Sequence, residues 1–138
     1  MGLARGNIWT NTRADGVMDK VNITARLAAI SDHWNPRIAG ELNGQQVKLA
    51  KFSGPFVWHS HENEDELFMV FRGTLLMDFR DGRTVEVQEG EILIVPKGVE
   101  HRPHTNGEIV FNLLFEPKAT LHTGTVESEM TVKELGWI

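Results

Sequence analysis

The chain has 138 residues, of which 41% are hydrophobic and 24% charged, as is typical of one soluble globular domain. Its net charge of -5 and singly scattered basic residues argue against nucleic-acid binding, and no apolar run approaches the ~20 residues that cross a bilayer. The absence of cysteine excludes disulfides, thiolate zinc sites and iron–sulfur clusters, which leaves histidine and carboxylate as the strong metal ligands.

The N-terminal part of the chain predicts an arm followed by one short helix. Residues 1–20 lack both periodicity and the apolar stretch of a secretion signal, so we expect a cytoplasmic protein. A partly disordered arm is the plain interpretation, and Trp9 favours docking against the domain or a neighbouring subunit as the alternative. For the helix, Asn22 is the predicted N-cap and Pro36 the stop. The apolar residues at helical spacing are Ile23, Leu27, Ile30 and Trp34.

Beyond Pro36 the hydrophobic period changes to two, which predicts β-strands. The predicted strands are Ile38–Leu42, Val47–Phe52, Leu67–Phe71, Thr74–Phe79, Thr84–Val87, Glu91–Val95 and Glu108–Phe115. Turn signals separate them, and Asp81-Gly82 is the strongest hairpin signal among these. Many short strands at regular spacing predict an all-β sandwich or barrel. Because Leu67–Phe71 is apolar on both faces, we expect a homodimer that covers the outer face.

Three histidines and a glutamate form a candidate metal site. His59 and His61 flank a serine, and residues two apart on a strand face the same side. Glu66 opens the next apolar strand, and we expect His101 to lie on a strand beside it. Imidazole and carboxylate together suit one divalent ion, namely Zn²⁺, Fe²⁺, Mn²⁺, Ni²⁺ or Co²⁺, without selecting among them. Taken alone, a His-x-His pair is more often a structural feature than a metal site.

The spacing of these residues resembles the two motifs of the cupin family. The first motif corresponds to Gly54, His59, His61, Glu66 and Gly73. The second corresponds to Gly90, Pro96, Gly98 and His101. Two positions depart from the motifs: Gly54 stands one residue closer to His59 than usual, and Thr105 replaces the final asparagine. The flanks are similar to small stand-alone bacterial cupins of the mannose-6-phosphate-isomerase-like subgroup.

The resemblance implies the fold and the site. We therefore expect a double-stranded β-helix, or jelly-roll, with one short N-terminal helix. The cupin domain is predicted to span residues 21–138, with residues 54–106 as its motif core. The family's metal ligands fall on His59, His61, Glu66 and His101.

Several other residues near the motifs were weighed as ligands or pocket residues. Glu64 and Asp65 are alternatives to Glu66 if the loop registers differently. His104 is expected to face away from His101, and His33 and His122 are not expected to bind metal. The aromatic side chains that are candidates for lining a pocket are Trp58, Phe68 and Phe111, although core packing is the better interpretation for at least two of them.

Two classes of function fit an open divalent-metal site. The first is an enzyme acting on a small polar ligand with a carboxylate or hydroxy-carbonyl group, as an isomerase, a lyase or a dioxygenase. No residue outside the ligand set stands out as its base. The alternative is a non-catalytic module that binds or stores a small molecule, since one fold hosts many functions.

Overall fold

The computed structural model describes residues 18–118, 120–121, 123–124 and 126–138. These residues form one helix, α1 (Ile23–Ala29), and eight strands. The strands are β1 (Arg37–Leu42), β2 (Gln45–Phe52), β3 (Glu66–Arg72), β4 (Leu75–Phe79), β5 (Thr84–Val87), β6 (Ile92–Val95), β7 (His101–His104) and β8 (Val110–Pro117). Most of the predicted N-terminal arm, residues 1–17, lies outside the described residues.

The strands form two antiparallel sheets. The larger has the order β1-β2-β8-β3-β6, and the smaller has the order β5-β4-β7. Their non-sequential strand orders require crossovers between the sheets, as in a Greek-key barrel. The all-β jelly-roll predicted from the sequence is therefore confirmed.

Strand alternation divides the apolar residues between two cores. Even-numbered residues of β2 and β3, such as Phe52 and Phe68, point between the two sheets and meet Met77 of β4. On the outer face of the larger sheet, Leu49 and Phe111 pack against α1. Because α1 covers this part of the outer face, the face is apolar there as well.

The helix is shorter than its apolar stripe predicts. Asn22 caps it as expected, by accepting a hydrogen bond from the Ala25 N–H at 3.0 Å, but α1 ends at Ala29. The stripe is split because Leu27 and Ile30 pack on the outer core, whereas Trp34 packs between the sheets. The prediction that the helix continues to Pro36 was therefore wrong, and His33 is exposed in the segment after the helix. Among the described residues, no helix is long and apolar enough to cross a membrane.

The predicted strand positions agree with the structure to within two residues. Asn43 and Gly44 have φ angles of 50° and 79°, as the tight turn between β1 and β2 requires. The largest difference is at β8, which begins at Val110. A turn precedes it, in which the Thr105 hydroxyl donates to the carbonyl of Glu108 at 2.8 Å.

Candidate metal centre

The four predicted ligands come from three segments of the barrel. His59 and His61 lie in the connection between β2 and β3, Glu66 begins β3, and His101 begins β7. His59 and His101 exchange backbone hydrogen bonds of 3.0 and 2.9 Å, which attaches the connection to β7. His59 thus lies on an isolated bridge and His61 in the loop after it, rather than both on the strand predicted from sequence.

A turn after β6 holds the other end of this connection. The Gly98 N–H donates to the carbonyl of His61 at 2.7 Å, and the Lys97 N–H donates to the Asp65 carboxylate at 2.9 Å. Gly98 has a φ of 80°, where glycine carries no steric cost. Asp65 therefore fixes the turn and is not an alternative to Glu66 in this register.

The four side chains meet inside the barrel. One ligand atom from each of the four lies within 4.8 Å of all the others, and each residue is at most 3% exposed. His61 Nε2 is 3.1 Å from Glu66 Oε1, and His101 Nε2 is 3.3 Å from the same oxygen. The sequence prediction that these positions reach one point is consistent with this geometry.

Several of the candidate ligand atoms are buried and make no hydrogen bond, which leaves them available to bind a metal ion. Within the described part of the chain, His61 Nε2, Glu66 Oε1 and His101 Nε2 are buried without a hydrogen-bond partner. Burying a polar atom without a hydrogen bond costs free energy of folding unless another group, such as a metal ion, binds the atom. Two atoms bound to one ion at about 2.1 Å lie about 3.0 Å apart at a right angle and about 3.4 Å apart at a tetrahedral angle. The separations of 3.1 and 3.3 Å fall in this range, so His61, Glu66 and His101 fit a common metal ion. His59 has a ligand atom within 4.8 Å of those of the other three residues and is the fourth candidate ligand.

Backbone carbonyls orient two of the imidazoles. His59 Nδ1 lies 2.9 Å from the carbonyl of Val57, and His101 Nδ1 lies 2.8 Å from the carbonyl of Val99. Because a carbonyl can only accept, each Nδ1 carries the proton and each Nε2 keeps its lone pair for an ion. His61 has a different outer neighbour, the carboxylate of Glu64, at 4.0 Å from its Nδ1.

Burial also sets the protonation of the site. Burial, and to a smaller extent the neighbouring His101, lower the pKa of His59 to about 4. Burial raises the pKa of the Glu66 carboxyl, but the close approach of His101 and His61 outweighs burial and holds that pKa below its usual range. At neutral pH His59 is therefore neutral and Glu66 ionised, which are the forms that bind a cation.

A narrow, mostly apolar pocket adjoins His59 and Glu66. His59 and Glu66 line one side of it, and apolar side chains line the rest. The apolar lining consists of Trp34, Pro36, Phe52, Phe56, Phe68, Pro103 and Leu114. These apolar side chains are themselves buried, so the space beside the cluster is small.

A second buried polar group lies beside the first, and sequence reasoning missed it. Lys48 Nζ is 3.3 Å from Glu116 Oε1 and donates to the carbonyl of Thr120 at 3.2 Å. Glu116 in turn lies next to Glu66, because Leu67 of β3 pairs with Phe115 of β8. Burial and the charge of Glu66 raise the pKa of Glu116 well above its usual value. The sequence signal was the alternation of β2, which places Lys48 among inward-facing residues.

The remaining candidates lie elsewhere in the molecule. His104 faces away from the cluster, as expected, with its Nε2 3.0 Å from the carboxylate of Asp78. Phe68 lines the pocket, whereas Phe111 packs in the outer core. Trp58 packs instead against the guanidinium groups of Arg80 and Arg102. His122 lies outside the described residues.

Comparison with known proteins identifies the family. A family model described as the Cupin domain matches residues 46–116, which is about half of the chain. The uncharacterized protein YdbB of Bacillus subtilis (strain 168) is 42% identical over 78 residues, covering 56% of this chain and 68% of YdbB. A cupin-2 domain containing protein from Shewanella frigidimarina superimposes with a TM-score of 0.68 at 41% identity, over 71% of this chain and 94% of that one. Protein NMB1881 from Neisseria meningitidis does so with a TM-score of 0.66 at 34% identity, over 72% and 100% of the two chains. The chain therefore belongs to the cupin family.

Proposed function

We propose that the protein binds one divalent metal ion on His59, His61, Glu66 and His101 and uses it to bind a small ligand with a carboxylate or hydroxy-carbonyl group. The observation that carries this proposal is the set of buried lone pairs that face one another without hydrogen bonds. Zn²⁺, Fe²⁺, Mn²⁺, Ni²⁺ and Co²⁺ all accept this donor set. The proposed activity is that of an isomerase, a lyase or a dioxygenase.

The residues of the site have distinct tasks in this proposal. The carboxylate of Glu66 supplies negative charge, and the imidazoles of His59 and His101 present Nε2 in a fixed orientation. Four protein donors leave two positions open on an octahedral ion. A bound divalent ion polarises an oxygen of the ligand and acts as a Lewis acid there. The buried apolar side chains beside His59 and Glu66 limit the access of water to the site.

Elemental analysis of protein purified without added metal tests the proposal. We expect close to one divalent ion per chain. Iron would favour oxygen chemistry, which oxygen consumption with catechols and β-diketones then checks. Zinc, nickel or manganese would favour isomerase or lyase chemistry. Protein that neither carries a divalent ion nor takes one up during dialysis would contradict the proposal.

A specific observation favours a second function, a non-catalytic binding module. Among the described residues that line the pocket, the titratable groups are His59 and Glu66, both of which the metal occupies. No further acid or base is therefore available there to move a proton. Metal-loaded protein that binds small acids without turning over any of them would support this alternative.

The homodimer predicted from the sequence is also a proposal. Ile92 and Ile94 on the outer face of β6 are each 55% exposed, and they pair across the sheet with Met69 and Leu67. Covering these side chains with a second copy of the chain would bury a continuous apolar surface. Sedimentation equilibrium should give the dimer mass, and Ile92→Lys/Ile94→Lys should give a monomer. A wild-type monomer at micromolar concentration would rule the dimer out.

Two finer expectations stay predictions. The first is that the chain belongs to the mannose-6-phosphate-isomerase-like subgroup of the family, which assays with sugar phosphates test. The cytoplasmic location is tested by cell fractionation.

A further inference from the structure

The metal centre is closed to solvent in this structure. Each of the four candidate ligands is at most 3% exposed, and the space beside His59 and Glu66 is small and lined by buried side chains. An ion or a ligand that arrives from solution meets these buried side chains first. Part of the chain therefore has to move before either of them reaches the site.

The C-terminal part of the chain covers one side of this centre. Residues 123–124 and 126–138 are called the C-terminal strap below. Gly124 lies against the backbone between the two histidine ligands, since a Cβ atom at Gly124 would overlap the carbonyl of Ser60 and lie 3.4 Å from Cδ2 of His59. Further along the strap, Met130 packs against the core between the two sheets. The strap thus covers the His59 side of the centre.

The barrel holds the strap near its two ends. Just before the strap, the carbonyl of Thr120 accepts a hydrogen bond of 3.2 Å from Lys48 Nζ. At the far end, the Ile38 N–H donates to the carbonyl of Gly136 at 2.8 Å, and the Ile138 N–H donates to the carbonyl of Ile38 at 2.9 Å. Both ends are therefore attached to strands of the larger sheet.

Hydrogen bonds within the strap hold its middle part together. The Val126 N–H donates to the carbonyl of Thr123 at 3.1 Å, and the Thr131 N–H donates to the carbonyl of Ser128 at 3.1 Å. The hydroxyl groups of Thr123 and Thr131 are 2.7 Å apart and hydrogen-bonded. Because these bonds stay inside the strap, they survive when the strap moves as one piece.

The other walls of the site are tied into the barrel by backbone hydrogen bonds. His59 and His101 exchange two such bonds, and the Gly98 N–H donates to the carbonyl of His61 at 2.7 Å. Moving these walls breaks hydrogen bonds beside the ligands. Lifting the strap near Gly124 separates packing contacts with the backbone before His61. The strap is therefore the wall whose opening costs the least free energy.

Glycine at position 124 allows the strap to close. Gly124 has a φ of 60°, in the left-handed region that other residues adopt only at a cost. A side chain there would also collide with the carbonyl of Ser60. The closed position of the strap therefore depends on this residue.

We propose that the C-terminal strap is a gate, which lifts from Ser60 to admit the metal ion and its ligand and then closes over His59. This inference rests on the proposed function, because it concerns the route to the proposed metal. The strap supplies none of the four candidate ligands. It therefore controls how fast an ion enters and leaves and not how tightly the ion is bound.

Uptake and release of Co²⁺ by Gly124→Ala test the gate. Stopped-flow absorption follows the uptake of Co²⁺ by metal-free protein, and transfer to a chelator follows its release. We expect both rates to rise by about tenfold or more, because the new Cβ atom disfavours the closed strap. The dissociation constant should change by less than about twofold, since both rates rise together.

Gly82→Ala is the matched control for the backbone. Gly82 has a φ of 92°, so the substitution imposes a similar backbone strain, but a Cβ atom there has nothing within 4 Å. Both Co²⁺ rates should stay at their wild-type values in this variant. A change equal to that of Gly124→Ala would mean that general destabilisation opens the site, and it would overturn the gate.

A second variant keeps the test decisive if Gly124→Ala does not fold. Thr131→Val retains the size of the side chain and removes the hydroxyl that bonds to Thr123 and accepts the Ser128 N–H. The strap is then less well ordered, and we expect both Co²⁺ rates to rise by about threefold.

The outcomes separate the gate from the proposed function. Protein that binds no Co²⁺ contradicts the proposed function and the gate together. Protein that binds Co²⁺ with the same rates in wild type and in the folded strap variants overturns the gate alone. Faster release without faster uptake would show that the strap stabilises the bound ion, which also overturns the gate.

Discussion

Two buried polar clusters lie side by side in this barrel, and they differ in whether a lysine of the chain balances their carboxylate. The pair formed by Lys48 and Glu116 contains its own cation and anion and adds a hydrogen bond to the Thr120 carbonyl. The cluster of His59, His61, Glu66 and His101 brings donors of lone pairs together and leaves several of them without hydrogen bonds. In the Lys48–Glu116 pair the two charges compensate each other, although Glu116 Oε2 has no hydrogen bond from the described residues. The four-residue cluster contains no lysine or arginine, and its converging donor atoms suit a cation from outside the chain.

The comparison predicts opposite consequences when each cluster is broken. Damage to the four-residue cluster should change metal binding far more than folding. Damage to the Lys48–Glu116 pair should change folding far more than metal binding. The experiments below are ordered from the largest expected effect to the smallest.

The largest effect is expected from His101→Ala. The substitution removes one donor and the backbone-oriented imidazole that faces Glu66, so metal content after dialysis should fall below detection. The matched control is His104→Ala, which removes an imidazole from the same strand on its outer face. Elemental analysis and thermal melting of both variants provide the measurements. Full metal occupancy in a folded His101→Ala protein would remove His101 from the ligand set.

The next effect is expected from Lys48→Met. Removing one member of a buried ion pair costs about 3–5 kcal/mol of unfolding free energy, because the other charge is left alone. Glu116 would then face Glu66 with no cation nearby. Urea denaturation of the metal-free protein measures the loss.

The double variant Lys48→Met/Glu116→Gln completes this experiment. Because it removes both charges, it should recover most of the lost stability. Metal content of Lys48→Met should stay near wild type, since Lys48 Nζ contacts Glu116 and the Thr120 carbonyl. A double variant no more stable than Lys48→Met would show that the pair is not the stabilising unit.

The difference between the clusters also explains what the sequence could predict. Strand alternation and turn signals located seven of the eight strands to within two residues, since both depend on local backbone geometry. The eighth strand, β7, was expected only because His101 was expected to lie on a strand. The residue pattern suggested that His59 and His61 converge and offered Glu66 and His101 as further ligands, and the family resemblance then supported all four. The position of Trp34 was not predictable from its spacing. Trp34 follows Ile30 at helical spacing, but Ile30 packs in the outer core against α1, whereas Trp34 packs between the two sheets.

The Lys48–Glu116 pair shows a second limit of sequence reasoning. The two residues are 68 positions apart, and they meet because β2 and β8 are neighbours in the larger sheet. The alternation of β2 places Lys48 inside, but it does not say which strand supplies the partner. Pairing between distant strands is a property of topology, and a single sequence specifies topology weakly.

A smaller effect is expected from pH in the metal-free protein. Because His59 has a pKa of about 4 when folded and about 6.5 when unfolded, the unfolded chain binds the extra proton between these values. Stability should therefore fall as pH drops from about 6.5 to about 4, by up to about 3 kcal/mol from this residue. Above pH 6.5 His59 contributes no pH dependence.

His59→Asn is the matched variant for this titration. It has no titrating group at position 59, so its stability should depend less steeply on pH over the same interval. Urea midpoints measured on protein treated with a chelator compare the two. Parallel curves for wild type and variant would show that His59 is not buried in its neutral form.

The smallest effect is expected from Glu64→Gln, which probes the outer neighbour of one ligand. The Glu64 carboxylate lies 4.0 Å from His61 Nδ1 and is 23% exposed, so it can favour the tautomer that keeps Nε2 free. Removing its charge should weaken metal affinity by about tenfold, at the low end for such groups because water replaces the partner. Competition with a coloured chelator measures the affinity, and Glu62→Gln in the exposed part of the same loop is the control. Equal affinities in the two variants would mean that His61, unlike His59 and His101, is oriented by its packing alone.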